Sequence, residues 1–259
     1  MNMNFKSLLL GTSLSLIPQY AAAQCAETDC LKLGYTKLEK CDNGLKCPFG
    51  EYWACPKTEE KAVLGQCTGY AKNCKIGDIL NSDGTCTTNK ESGKTPIGIV
   101  VYIGSDSCGQ AIALQDLGKI KWSSEEVDIP NLSNYTGVSA AEKDFDSCGN
   151  TQKIIKYGNA SQYPAAWAAN NYAPSAVPET KGKWCLPAAG VARSIMNNFS
   201  AIDTGLSKTG NETYLTLTNE SWRLTSSEVN TSSVWRWSER VMDVTLKSWD
   251  FAVRPVIEF

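Results

Sequence analysis

Eight of the eleven cysteines fall within one short stretch, from Cys25 to Cys86. They are Cys25, Cys30, Cys41, Cys47, Cys55, Cys67, Cys74 and Cys86. Between them lie turn residues such as Asp42-Asn43-Gly44, Pro48-Phe49-Gly50 and Asn81-Ser82-Asp83-Gly84, and few apolar ones. A segment like this buries too little apolar surface to hold itself together, so covalent bridges must supply the constraint. Disulfides persist in oxidising compartments, so the mature chain is expected outside the cytoplasm. No two neighbouring cysteines show the two-residue gap of a zinc knuckle or a redox dithiol. A disulfide scaffold is therefore expected rather than a metal site.

The N-terminus carries a matching address. Lys6 gives a basic start, Leu8 to Ile17 is a short apolar run, and Ala21-Ala22-Ala23 offers a small-residue cleavage site. Residues 1–23 read as a signal peptide. The run is too short to span a bilayer, so no membrane span is expected after cleavage. The remainder divides into a cysteine-rich module, 24–94, and a larger domain, 95–259. The expected location is secreted or cell-surface, with the periplasm as the alternative.

Charge and composition narrow the chemistry. Acidic residues number 27 and basic residues 25. With no basic excess to neutralise phosphates, nucleic acid is not an expected partner. There is no histidine, which removes Ser-His-Asp and Cys-His catalysis and every histidine-containing metal site.

Periodicity predicts mixed secondary structure. Pro96 to Ile103 is a nearly continuous apolar, β-branched run, expected as a buried strand, and Gln110 to Leu117 is expected to return beside it. Asn150 or Thr151 can cap a helix carrying Ile154, Ile155 and Tyr157. Pro164 suits the first turn of another. Val191, Ile195 and Met196 form the apolar face of a third. Ser200 with Asp203 resembles a capping box for a short helix ended by Gly210. At the C-terminal side, Trp235 and Trp237 share one strand face with Arg236 on the other. Met242, Val244 and Leu246 alternate in the opposite phase, which predicts a turn or bulge between two strands across Ser238-Glu239-Arg240. Pro255 marks an edge or bulge in the last strand.

Several segments resemble the Lcl C-terminal-domain family of secreted bacterial proteins. Trp222 to Glu228 (WRLTSSE) is similar to its aromatic-x-SSTE segment, and Val253-Arg254-Pro255-Val256 to its terminal VRPV strand. Ile76 to Thr85, the Pro96–Leu117 pair, Gly149-Asn150-Thr151, Tyr163-Pro164-Ala165-Ala166 and Trp184 to Gly190 resemble further motifs in the same order. The pattern departs at Val191, where the family usually has Glu. The resemblance covers about 76–259. It implies an α+β, C-type-lectin-like domain with small antiparallel sheets, two main helices and long loops. The 76–85 segment would then start the domain earlier than residue 95.

The expected function is non-enzymatic binding. Tryptophan and arginine are enriched at binding hot spots, and arginine forks bind carboxylate or sulfate. Four of the eight tryptophans lie in 221–259. The candidate ligand-binding residues are Trp222, Arg223, Trp235, Arg236, Trp237 and Arg240. The expected partner is an extracellular glycan, a glycosaminoglycan-like polymer or a protein. No cofactor is expected. Calcium is the one metal left open, with Glu228, Glu239, Asp243 and Asp250 as scattered oxygen donors. The alternative is a structural envelope or pilus-tip subunit that recognises protein. Formylglycine-generating oxidases share a related fold but use a reactive cysteine pair late in the chain, and no cysteine follows Cys185. Cys108 and Cys148, both in Ser-Cys-Gly turns, are expected to pair, leaving Cys185 as a buried thiol.

Overall fold

The computed structural model describes residues 61–210 and 222–259, together with two short strands nearer the N-terminus. The chain divides into two units, Met1–Glu60 and Lys61–Phe259. In the first, β1 (Glu39–Lys40) pairs antiparallel with β2 (Trp53–Ala54). The expected signal peptide and Cys25, Cys30, Cys41, Cys47 and Cys55 lie outside the described residues.

The second unit is α+β. Its elements run β3 (Ile79–Asn81), β4 (Cys86–Thr87), β5 (Pro96–Ile103), β6 (Gly109–Ala113) and β7 (Lys119–Lys121). Helices α1 (Val138–Ala141), α2 (Ser147–Tyr157) and α3 (Pro164–Asn171) follow, then β8 (Trp184–Cys185), α4 (Ala189–Asn197) and α5 (Phe199–Lys208). The last five strands are β9 (Arg223–Glu228), β10 (Ser233–Trp237), β11 (Met242–Leu246), β12 (Asp250–Ala252) and β13 (Val256–Glu258). They form a six-stranded sheet ordered β4-β3-β5-β6-β13-β8 and a five-stranded sheet ordered β11-β10-β9-β12-β7. All but one of the pairings are antiparallel; β12 runs parallel to β9.

The apolar run at 96–103 forms the expected strand because both faces of the six-stranded sheet are covered. Ile99 and Val101 enter a core with α4, α5 and the inner tryptophans of β10, while Ile97 and Val100 enter a second core with Ala71, Trp184 and Phe259. Val100 and Val101 face opposite cores by ordinary strand alternation, and the register with β6 shifts between Val100 and Tyr102. A third core lies between α2, α3 and the other face of the five-stranded sheet, around Trp122, Tyr163 and Leu224. Gly109 is required at the start of β6: a Cβ there would collide with the Phe259 ring and the Ala71 methyl.

Residues 61–94 belong to this unit. Ile79 and Leu80 pair with Ile99 and Gly98, so the boundary expected at residue 94 does not separate two folds. Three disulfides lie among the described residues: Cys67–Cys108, Cys74–Cys86 and Cys148–Cys185. The expected Cys108–Cys148 pair is therefore incorrect, and Cys185 is not a free thiol. The first turn of α2 packs on β8, which brings the Cys148 and Cys185 Cα atoms to 5.0 Å. Cys108 instead faces the 61–75 segment, where the backbone N–H of Ala71 donates to the Ser107 carbonyl.

Local signals were shifted at several ends. Helix α2 is capped by Asp146, whose Oδ1 accepts from the Gly149 N–H at 2.9 Å; Asn150 and Thr151 sit inside the helix and are buried. Helix α5 begins after Asn198, which puts Ser200 within its first turn instead of at a capping box. Strand β6 stops at Ala113 rather than reaching Leu117, because Arg254 Nε and Nη2 take the Ala113 and Leu114 carbonyls at 2.8 and 2.7 Å. The last segment is two strands in different sheets, with Pro255 at the crossing between them.

Candidate binding face

Strand β10 alternates as its sequence predicts. Trp235 and Trp237 point into the first core and Arg236 points to the other side. Trp237 has no exposed surface, and Trp235 donates its Nε1–H to the Tyr135 carbonyl at 2.8 Å. Arg223 is also withdrawn from solvent. Its Nε and Nη2 grip the Asp116 carboxylate at 2.9 and 2.8 Å, and its guanidinium lies 5.4 Å from the Trp237 ring centre. Three of the six sequence candidates thus serve the interior.

The other three lie at or near the surface of the five-stranded sheet. The Arg236 guanidinium carbon sits 4.1 Å from the Trp222 ring centre and 4.7 Å from that of Phe251. Its Nη2 donates to Asp243 Oδ2 at 3.1 Å across the β10–β11 ladder. Trp249 extends the aromatic surface, 6.5 Å from Phe251 and 54% exposed. Arg240, in the β10–β11 turn, has an 85% exposed side chain lying 3.7 Å from Glu239. Sequence reasoning missed Phe251 and left Trp249 off the site. The missing information was that β12 inserts between β9 and β7, a non-local placement with no local signal. The result is a ring–cation–ring stack with an acid on one side and a free indole beside it. Such a face can stack on flat or ring-shaped groups and present charge to an anionic one.

A separate groove of about 610 Å³ is lined by Lys75, Asp78, Thr88, Asn197, Asn198 and Lys208 among others. Its lining mixes polar side chains with Ile76 and Ala201 and includes no aromatic residue.

The four acids considered for calcium do not converge. Glu228 is paired with Lys247, Asp243 with Arg236, and Glu239 with Arg240. Among the described residues, the one group of three potential metal ligands is Cys67, Asp106 and Cys108, and its two sulfurs are joined in a disulfide.

The 225–228 run of the family-like segment is internal wiring. Thr225, Ser226, Ser227 and Glu228 have no exposed surface. The Ser227 hydroxyl donates to Asp144 Oδ2 at 2.6 Å and accepts from the Ala189 N–H, the first residue of α4, at 2.8 Å. Asn150 Nδ2 reaches the same Asp144 oxygen at 2.8 Å. The run therefore fastens β9 to the starts of α2 and α4. Arg254 likewise is fully buried against backbone carbonyls, and burial lowers its pKa to about 10. At Glu228 burial pushes the pKa up to about 7, against the opposing pull of Lys247; burial lowers that of Lys247.

No protein-family model and no curated protein matches the chain. Among solved structures, it is similar to the crystal structure of a fimbrial protein from Bacteroides ovatus, with a TM-score of 0.51 and 15% identity. The match covers 72% of this chain and 49% of that one, so this chain spans about half the length of its structural neighbour. At that identity the likeness is one of fold. No helix among the described residues is long and apolar enough to cross a membrane.

Proposed function

We propose that this is a non-enzymatic, extracytoplasmic recognition protein whose ligand docks on the Trp222–Arg236–Phe251 face. The observation that carries the reading is the Arg236 guanidinium held between two rings with Trp249 exposed beside it. The sandwich fixes a planar cation without burying it completely, which lowers the entropy cost of engaging an anionic group. Glycans or glycosaminoglycan-like polymers offer both the ring faces and the carboxylates or sulfates that match. The domain is read as C-type-lectin-like, in line with the Lcl resemblance. The signal peptide read from the sequence and the three disulfides among the described residues fit export. A formylglycine-generating oxidase would need a reactive late cysteine, whereas Cys185 is joined to Cys148.

The test is binding to neutral and sulfated glycans, with and without a calcium chelator, for wild type, Arg236→Ala and Trp249→Ala. The expected result is salt-sensitive binding to sulfated chains that survives the chelator and is weakened by both substitutions. Wild-type binding that neither substitution weakens would remove this face from the site.

A second reading, a pilus or envelope subunit that recognises protein, has its own support. Strand β11 is an edge strand, and its Val244 and Leu246 are exposed on the same sheet face as the buried Trp235. An apolar edge of this kind can accept a strand from another chain. The fimbrial fold neighbour adds to this reading. Glycan-independent association that is abolished by Val244→Lys would favour it.

A further inference from the structure

Glu228 and Lys247 form an ion pair in which neither side chain has any solvent-exposed surface. Their backbones are fixed independently of the pair. Glu228 ends β9 opposite Val234 of β10, and its carbonyl accepts from the Tyr135 N–H at 2.9 Å. Lys247 follows β11, and its N–H donates to the Ser232 carbonyl at 2.9 Å. The side-chain ends are positioned too. The Ile129 N–H donates to Glu228 Oε2 at 3.3 Å, and Lys247 Nζ donates to the Val127 carbonyl at 2.6 Å. Trp122 forms one wall, its ring centre 4.9 Å from Nζ, and is itself pinned by the Thr225 carbonyl and the edge of Tyr163.

This is an unusual place to leave two full charges. Removing both from water is costly, and the fold does not use the pair to reach a ligand. A dry site favours the uncharged forms, a carboxylic acid and a free amine. Those are the two reactants of an amide, held together where they cannot diffuse apart. Fixed neighbours of this kind react with effective molarities on the order of 10⁵ M or more.

We propose that Glu228 and Lys247 are joined by a side-chain amide, a covalent cross-link between the end of β9 and the residue after β11. The lone pair of neutral Lys247 Nζ attacks Cδ of protonated Glu228, and the N–Cδ bond forms. The Ile129 N–H faces the carboxyl oxygen that gathers negative charge, as an oxyanion donor does. The Val127 carbonyl orients the amine through one of its hydrogens. The Cδ–OH bond then breaks, and the hydroxyl takes the proton shed by nitrogen and leaves as one water. No oxidant, metal or co-reactant is required. The product places a neutral amide where two ions stood. It also closes a cross-strand loop that no disulfide of the described residues spans.

The cross-link is read directly by peptide mapping of the reduced, purified full chain. Trypsin cleaves after Lys and Arg, so a free pair yields 224–236 and 241–247 as separate peptides. An amide at Lys247 blocks cleavage there, and Arg254 precedes Pro255. The expected species is therefore 224–236 joined to 241–259, lighter than the two peptides by one water, about 18 Da. Fragment ions should place the junction on Glu228. Lys247→Arg keeps the charge but lacks the nucleophilic amine, and its digest should contain no joined peptide. Recovery of only the linear peptides from the folded wild-type protein overturns the proposal. So does a joined peptide that persists in Lys247→Arg.

Discussion

Replacing Cys148 and Cys185 together by alanine tests the covalent frame without leaving a free thiol. The bridge fastens the first turn of α2 to β8 and closes a loop of 37 residues. Loop-closure entropy for that span corresponds to about 4 kcal/mol at 25 °C, against about 3 kcal/mol for the 12-residue Cys74–Cys86 loop. Cys185 is almost fully buried, so the lost sulfur also leaves a small void, which adds about 1 kcal/mol. The double variant should thus be destabilised by about 4–5 kcal/mol, and Cys74→Ala/Cys86→Ala by roughly 1–2 kcal/mol less. Urea unfolding followed by tryptophan fluorescence measures both. With a slope of about 2 kcal/mol per molar urea, the Cys148/Cys185 variant should unfold about 2 M earlier. A loss under 1 kcal/mol, or a non-reducing map that joins Cys148 to Cys108, would refute the reasoning.

Ser227→Ala should cost about 1–3 kcal/mol, since the Ala189 N–H and an Asp144 oxygen both lose a buried partner; the same urea titration reads it. Tyr163 is fully buried with an unpartnered hydroxyl, and burial pushes its pKa from 10.0 up to about 12. The unfolded chain ionises first, so the wild type should lose stability as pH rises from about 10 towards 12. Tyr163→Phe should be as stable as wild type or more so at pH 7 and should lack that contribution to alkaline sensitivity in melts across this range. Trp249→Ala should leave thermal stability within about 0.5 kcal/mol while weakening glycan binding tenfold or more, as titration calorimetry would report.

Local physics made much of the scaffold legible. The β-branched run at 96–103, Pro164 opening α3 and the turn between Trp237 and Met242 each carry their own signal in a few residues. Pairings over longer spans did not. Ser-Cys-Gly contexts say nothing about which strand a cysteine will meet, so Cys108 and Cys148 looked like partners. The β10 alternation separated Trp235 and Trp237 from Arg236, and the two tryptophans, offered as ligand contacts, line the first core instead. Arg223 looked like an exposed charge until Asp116, more than a hundred positions earlier, was found opposite it. The candidate face was half legible, because Trp222 and Arg236 are near each other in sequence, whereas Phe251 arrives only through the insertion of β12. The 225–228 run was recognisable as a pattern, but its polarity hid a role in joining helix starts rather than in meeting a ligand.

Strand β13 lies between β6 and β8, with Phe259 clamped against Gly109 by two backbone hydrogen bonds. Chains emerge N-terminus first, so this interior strand is made after both of the strands it pairs with. Until residues 256–258 are made, β8 has no neighbour in that sheet and one hydrogen-bonding edge of β6 stays unpaired. Strand β8 is therefore seated in this sheet only once β13 is in place, so the order in which the strands are made is not the order in which they can pair.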